Sequence, residues 1–294
     1  MKTLQPFKIY LFISAVILFS GCAEVKTGEP PPQAIMPPTV CQGSAAFLIL
    51  NDQAATEAAA CKDNTTISFY RDNATAPLRA LLGTDLDEPP GGKELRISIV
   101  AKDGRFRQQR IAYTVLKKDF STQHLTLPGA KGVPGQQTDE RFEREKAIVE
   151  KIFTRTVQEK LWCGVFIRPI AGEITTDFGT RRFINGVPKN HHTGIDIKAP
   201  AGTPVAAPAN GRVLYTGRFS LSGNSIFIDH GTGICTMYFH LASIAVQSGQ
   251  KVKKGDTIGT VGSTGRSTGP HLHWGARINN QRVDPLALVA LFNK

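Results

Sequence analysis

Leu95, Ile97 and Ile99 alternate with Arg96, Ser98 and Val100, and a second alternation runs through Ile111, Tyr113 and Val115. A period of two marks a half-buried strand. Lys102-Asp103-Gly104-Arg105 between the runs carries the Asp-Gly signal of a tight hairpin turn. Residues from about 41 to 127 therefore read as a small antiparallel β-sandwich. A Pro/Gly break at 128–137 follows, and the period then changes. Phe142, Val149, Ile152, Phe153 and Leu161 recur near helical spacing, while Asp139, Glu140 and Glu143 complement the positive end of a helix dipole. This predicts a helix from about Asp139 to Lys160, a connector packed on one of the domains. From Phe166 the chain returns to strands, at 211–217, 225–231, 233–241, 256–262 and 271–278, parted by turns such as Ser222-Gly223-Asn224 and Gly262-Ser263-Thr264-Gly265. The fold class is mainly β: an N-terminal sandwich over 41–127, a linker and helix over 128–162, and a compact antiparallel β domain over 163–294.

The start of the chain follows a different rule. Lys2 and Lys8 precede an apolar run from Tyr10 to Phe19, which is 10 residues long. A spanning helix needs about 20, so residues 1–22 read as an export signal. Ser20-Gly21-Cys22 resembles the lipobox of bacterial lipoproteins, with Phe19 where Leu is usual, and implies acylation of Cys22. Ala23 after the cysteine resembles outer-membrane sorting. Residues 23–40 contain Pro30-Pro31-Pro32 and Pro37-Pro38 and read as a semi-extended tether, long enough to hold a domain up to ~50 Å from a membrane surface. The expected location is the periplasm, on an outer-membrane lipid anchor. Export also makes disulfides feasible. Cys41, Cys61, Cys163 and Cys235 allow three pairings, of which position favours Cys41 with Cys61 and Cys163 with Cys235.

Candidate chemistry lies in three segments of the last hundred residues: His192-Thr193-Gly194-Ile195-Asp196, Tyr238-Phe239-His240-Leu241 and His271-Leu272-His273-Trp274. A catalytic zinc takes three ligands from His, Asp and Glu and keeps a fourth position open. His271 and His273 lie two apart in a predicted strand, so both project from one face, as do His192 and Asp196 if their segment is extended. No His-Glu-x-x-His helix motif is present. Copper, nickel or cobalt could occupy the same ligands in vitro, and a mixed nitrogen and oxygen set with one carboxylate points to one Zn2+ per chain. His191 would point away from His192 in an extended segment. His230, in Asp229-His230-Gly231, reads as a structural hydrogen-bonding residue, and His124 as structural or solvated.

Residues 163 to 290 resemble the lysostaphin-type zinc endopeptidases of bacterial cell walls. The resemblance rests on the segments above together with Ala199-Pro200-Ala201-Gly202-Thr203-Pro204-Val205, Val252-Lys253-Lys254-Gly255-Asp256 and Gly265-Arg266-Ser267-Thr268-Gly269-Pro270. It implies that His192, Asp196 and His273 bind zinc and that His240 and His271 are catalytic. One histidine would move the proton of water and the other would hold the oxyanion, in either order. Leu81-Leu82-Gly83-Thr84-Asp85-Leu86-Asp87 with Pro89-Pro90-Gly91 resembles the immunoglobulin-like domain that often precedes such peptidases. The implied activity is hydrolysis of peptidoglycan cross-links, D-alanyl to diaminopimelate in a Gram-negative wall, with Arg181-Arg182-Phe183-Ile184-Asn185-Gly186 flanking the substrate groove.

Charge fits an anionic polymer partner. The chain of 294 residues carries 35 Lys and Arg against 24 Asp and Glu, a formal +11. Nucleic acid would suit the same balance, but an export signal argues against it. Two other classes compare less well. A non-enzymatic activator of cell-wall amidases, as some relatives with lost ligands are, would not keep all five site residues. A lipoyl- or biotin-type carrier would explain Gly202-Thr203-Pro204-Val205 and Val252-Lys253-Lys254-Gly255-Asp256, but needs no histidines.

Overall fold

A computed structural model describes residues 34–125, 140–188 and 191–293. The leader, Cys22 and the proline triplet of the tether lie outside the described residues. Nine strands come first: β1 (Ala34–Ile35), β2 (Thr39–Cys41), β3 (Ala45–Leu50), β4 (Ala55–Lys62), β5 (Thr65–Ser68), β6 (Leu78–Gly83), β7 (Gly91–Ala101), β8 (Phe106–Leu116) and β9 (Thr122–Leu125). Helix α1 (Glu140–Phe153) follows. Then come β10 (Ile174–Thr176), β11 (Arg181–Ile184), β12 (Val187–Pro188), β13 (Gly194–Lys198), β14 (Pro204–Ala206), β15 (Gly211–Phe219), β16 (Gly223–Gly231), β17 (Ile234–Leu241), β18 (Ser243–Ile244), β19 (Lys251–Val252), β20 (Thr257–Thr260), β21 (His271–Ile278), β22 (Gln281–Val283) and helix α2 (Pro285–Phe292).

The alternating segments pair as their periodicity predicts. β7 and β8 form the expected hairpin, with Leu95 opposite Ile111 and Gly104 at positive φ in the turn. They join a five-stranded sheet of order β2-β8-β7-β4-β5, which faces a three-stranded sheet, β1-β3-β6. Leu48, Leu50, Leu82, Leu95, Ile97 and Val115 fill the space between. The sandwich is not wholly antiparallel, because β2 runs parallel to β8. Residues 34–41, which the sequence places in or beside the tether, are already paired as β1 and β2.

The expected disulfides do not form; all four described cysteines are free. Cys41 is on β2 and Cys61 on β4, with β8 and β7 between them. Three strand spacings amount to roughly 14 Å, beyond the reach of a disulfide. Cys235 is buried among Phe153, Phe219, Phe227 and Met237, whereas Cys163 is exposed beside Asn210. Burial pushes the Cys235 thiol well above its usual range.

The second half is built on a large antiparallel sheet of order β10-β13-β21-β17-β16-β15-β19. One face buries Ile195, Ile197, Val213, Ile226, Tyr238, Leu272 and Trp274 against Val205, Ile258 and Val261 from the segment around a small sheet, β14-β20-β18. The other face receives α1 through Ile152 and Phe153, which pack on Phe219, Phe227 and Met237. The helix is shorter than predicted. Thr154 and Thr156 turn their hydroxyls onto the carbonyls of Lys151 and Phe153, closing its last turn early. A second helix, α2, was not anticipated; it is capped by Asp284, which accepts from the Leu286 N–H.

The two halves share packing. The described residues from Ala34 to Asn293 fall in one compact unit. Leu86, from the loop after β6, belongs to the same buried cluster as Trp274 and Ile197. Leu81 packs with Trp162, Phe166 and Ile278. Arg282 brackets Asp85 and Asp87, and β9 pairs in parallel with β11, so that Arg182 lies opposite Gln123. Among the described residues, no helix is long and apolar enough to cross a membrane.

Candidate metal centre

Register brings the site together. In the β13–β21 ladder Asp196 lies directly opposite His273, and Ile195 and Ile197 lie opposite Trp274 and Leu272. The apolar members of both strands point into the core, so Asp196, His271 and His273 project from the other face. His192 precedes β13, held by main-chain bonds with Gly179 and Thr180. Gly194 and Gly275 face each other across the ladder. A Cβ on Gly194 would lie 2.7 Å from His273 Nε2 and 2.5 Å from the Trp274 carbonyl, so the glycine of this motif is the space in which the His273 ring sits. Phe239 stacks on the other side of that ring at 5.2 Å and 7°.

Three atoms converge. His192 Nε2 is 2.9 Å from Asp196 Oδ1 and 2.9 Å from His273 Nδ1, and His273 Nδ1 is 3.0 Å from Asp196 Oδ1. His192 Nδ1 lies 3.0 Å from the Asp177 carbonyl. A carbonyl only accepts, so Nδ1 bears the hydrogen and Nε2 of neutral His192 presents a lone pair. With both rings neutral, the triangle holds at most one proton, on His273 Nδ1. The His192–Asp196 pair is then lone pair against lone pair. A cation satisfies this arrangement. A tetrahedral ion with bonds of ~2.0–2.1 Å spaces its donors by about 3.3 Å, so the triangle needs to open by only a few tenths of an ångström. The residues fit a zinc ion.

The charge states agree. Burial works against a charge on Asp196, but its contacts with His192 and His273 outweigh it and hold the carboxyl far below the usual range. Burial pushes His273 down to about 4 despite the carboxylate beside it. At neutral pH Asp196 is therefore a carboxylate and His273 a neutral imidazole, the forms that bind a metal. All three residues are at most 8% exposed.

His240 and His271 stand beside the triangle. Their ring centroids are 4.8 Å apart, and His271 Nε2 is 3.8 Å from Asp196 Oδ1. His271 Nδ1 lies 2.8 Å from the Gly269 carbonyl and His240 Nδ1 2.8 Å from that of Thr264. Both therefore carry hydrogen on Nδ1 and present Nε2 as an acceptor. Strand alternation alone would send His240 to the core face with Tyr238. A bulge intervenes: Asn224 pairs with Leu241 and Ile226 with Tyr238, and His240 takes φ of 61°. The extra residue turns His240 toward the site. Burial pushes its imidazole down, against the Thr264 hydrogen bond that favours charge.

The structure thus gathers all five residues named from sequence. His191 turns away to Asp87, at 2.9 Å. His230 is a buried hydrogen-bonding residue, between the Asn210 carbonyl and the Thr236 hydroxyl, both at 2.8 Å. His124 stacks on Phe183. Sequence reasoning missed the carbonyls of Asp177, Thr264 and Gly269, which leave no trace in residue type, and the stacking by Phe239. The guanidinium of Arg182, in the segment expected to flank the substrate groove, reaches Asp196.

Comparison with known proteins agrees with this geometry. The profile of peptidase family M23 matches residues 190–285. The chain is 45% identical over 135 residues to the DD-carboxypeptidase/endopeptidase Mpg of Neisseria meningitidis serogroup B, covering 46% of this chain and 31% of that protein. It is 33% identical over 152 residues to the peptidoglycan DD-endopeptidase ShyA of Vibrio cholerae, covering 51% and 33%. The chain thus spans about a third of the length of these curated relatives. A Pseudomonas aeruginosa crystal structure assigned to peptidase M23 superposes with a TM-score of 0.67 at 29% identity, over 87% of this chain and 96% of that one. The triangle of His192, Asp196 and His273 lies inside the segment, residues 190–285, that matches peptidase family M23.

Proposed function

We propose that this protein is an exported zinc metalloendopeptidase that hydrolyses peptide cross-links of peptidoglycan, with one zinc per chain and D-alanyl-diaminopimelate as the bond cut. The observation that carries the reading is the proton-poor triangle of His192, Asp196 and His273 beside two histidines that both present Nε2. Relatives named for DD-endopeptidase activity support the substrate class.

Zinc held by the three residues supplies Lewis-acid activation of the scissile carbonyl and of water. The protein's own groups do the rest. His271 Nε2 takes a proton from the attacking water and returns it to the leaving amine. Gly269 keeps the His271 ring in the required tautomer. His240 can donate to the oxyanion through Nε2 only once that atom carries a proton, because its Nδ1 hydrogen is committed to Thr264. The two histidines exchange roles without any change in this geometry. Cys22 is the proposed lipid attachment point, holding the enzyme to the inner face of the outer membrane.

The test is incubation of the mature, zinc-loaded chain with purified cross-linked muropeptides. Mass spectrometry is expected to find dimers converted to monomers with a new free amine on diaminopimelate, chelator stopping the reaction and zinc restoring it. Bound zinc with no conversion would overturn the enzyme reading in favour of a non-enzymatic activator of amidases.

A further inference from the structure

A carboxylate has two equivalent oxygens, and nothing in Asp196 itself decides how many of them face a metal. A second oxygen on the ion would fill the position that a catalytic site keeps open for water. In this structure Asp196 Oδ1 belongs to the triangle with His192 and His273, and Oδ2 is taken by Arg182, whose Nη2 lies 3.1 Å away. The same Nη2 lies 3.5 Å from Thr176 Oγ1. The side chain of Arg182 is 32% exposed and that of Asp196 11%, so the pair is shielded from water on the Asp196 side.

Arg182 is itself held from outside the family-matched segment. Its strand, β11, lies between β12 and β9. β9 comes from the chain ahead of α1, and its register sets Gln123 opposite Arg182. Next to it the Arg181 N–H donates to the Ser121 carbonyl at 2.8 Å, and the Ser121 and Thr180 hydroxyls meet at 2.7 Å.

We propose that Arg182 is a positioning residue for the metal centre: by occupying Oδ2 it makes Asp196 a one-oxygen ligand and keeps the water position open. This rests on the zinc reading above. Arg182 touches neither water nor substrate in this role; it acts through Asp196. Because β9 braces β11, the segment 121–125 bears on the metal centre through the same side chain.

The test compares the full-length mature parent with Arg182→Met and Arg182→Lys, loaded with zinc for X-ray absorption and with Co2+ for visible spectra. Arg182→Met is expected to add one oxygen to the first shell, weaken the intense visible bands of four-coordinate Co2+, and lower kcat by 10- to 100-fold with little change in KM. Arg182→Lys keeps a cationic donor for Oδ2 and is expected to stay near the parent in both spectra. Melting of the metal-free proteins reports whether each variant folds; if Arg182→Met does not, Arg182→Leu is read by the same criteria. A first shell and Co2+ spectrum identical to the parent in the folded Met or Leu variant would overturn the inference while leaving the zinc reading intact. A parent that binds no zinc would overturn both.

Discussion

Three histidines of the site have their tautomer set by a main-chain carbonyl. Carbonyls of Asp177, Thr264 and Gly269 put the hydrogens of His192, His240 and His271 on Nδ1. His271→Ala and His240→Ala are therefore expected to lower cleavage of muropeptides by about 10²–10⁴-fold while retaining zinc, as measured by steady-state rates and metal content. His240 also sits at a φ of 61°, where a Cβ is unfavourable. His240→Gly should be more stable than His240→Ala by about 1 kcal/mol in urea denaturation. His230 gives a pH prediction. Its burial lowers the imidazole to about 4 from the ordinary 6.5, so the folded state accepts only the neutral form. Above pH ~6.5 it adds no penalty; as pH falls from there toward 4 the unfolded chain takes the proton first and the fold loses stability, by roughly 3 kcal/mol in all. The fall in unfolding free energy between pH 7 and 4 should be smaller by about that amount in His230→Gln than in the parent.

Elements deliver these residues through register. The period-two runs of β7 and β8 were legible because each buries one face, and His271 and His273 share a face of β21 by the same alternation although that strand is buried on both sides. His240 did not follow from it, since its direction depends on an extra residue in β17 that alternation cannot reveal. Nor did the early end of α1, which two threonine hydroxyls set. The disulfide expectation failed for a related reason: nearness in sequence says nothing about the two strands that separate Cys41 from Cys61. The Gly194–Gly275 pair is where register and chemistry meet. Gly194→Ala places a methyl against the Trp274 carbonyl and the His273 ring, and is expected to cost about 1–3 kcal/mol of stability and to weaken zinc binding, read by denaturation and chelator competition.

At the scale of the molecule, motif spacing pointed to the second half and to the five candidate site residues that the fold gathers there, but not to how the first half meets it. Leu86 looked like part of a separate domain and is instead buried with Ile197 and Trp274. Leu86→Ala is expected to destabilise the second half as well as the sandwich, by about 2–5 kcal/mol, with a single transition seen by probes in both halves. The packing also explains why β9 can reach the strand that carries Arg182. The central claim is that the triangle holds the metal and the adjacent pair does the proton chemistry. It is tested most directly by measuring zinc content and cross-link cleavage together in the parent, His271→Ala and His273→Ala. The account predicts one zinc and cleavage in the parent, zinc without cleavage in His271→Ala, and neither in His273→Ala. Full cleavage by His271→Ala, or undiminished zinc in His273→Ala, would contradict it.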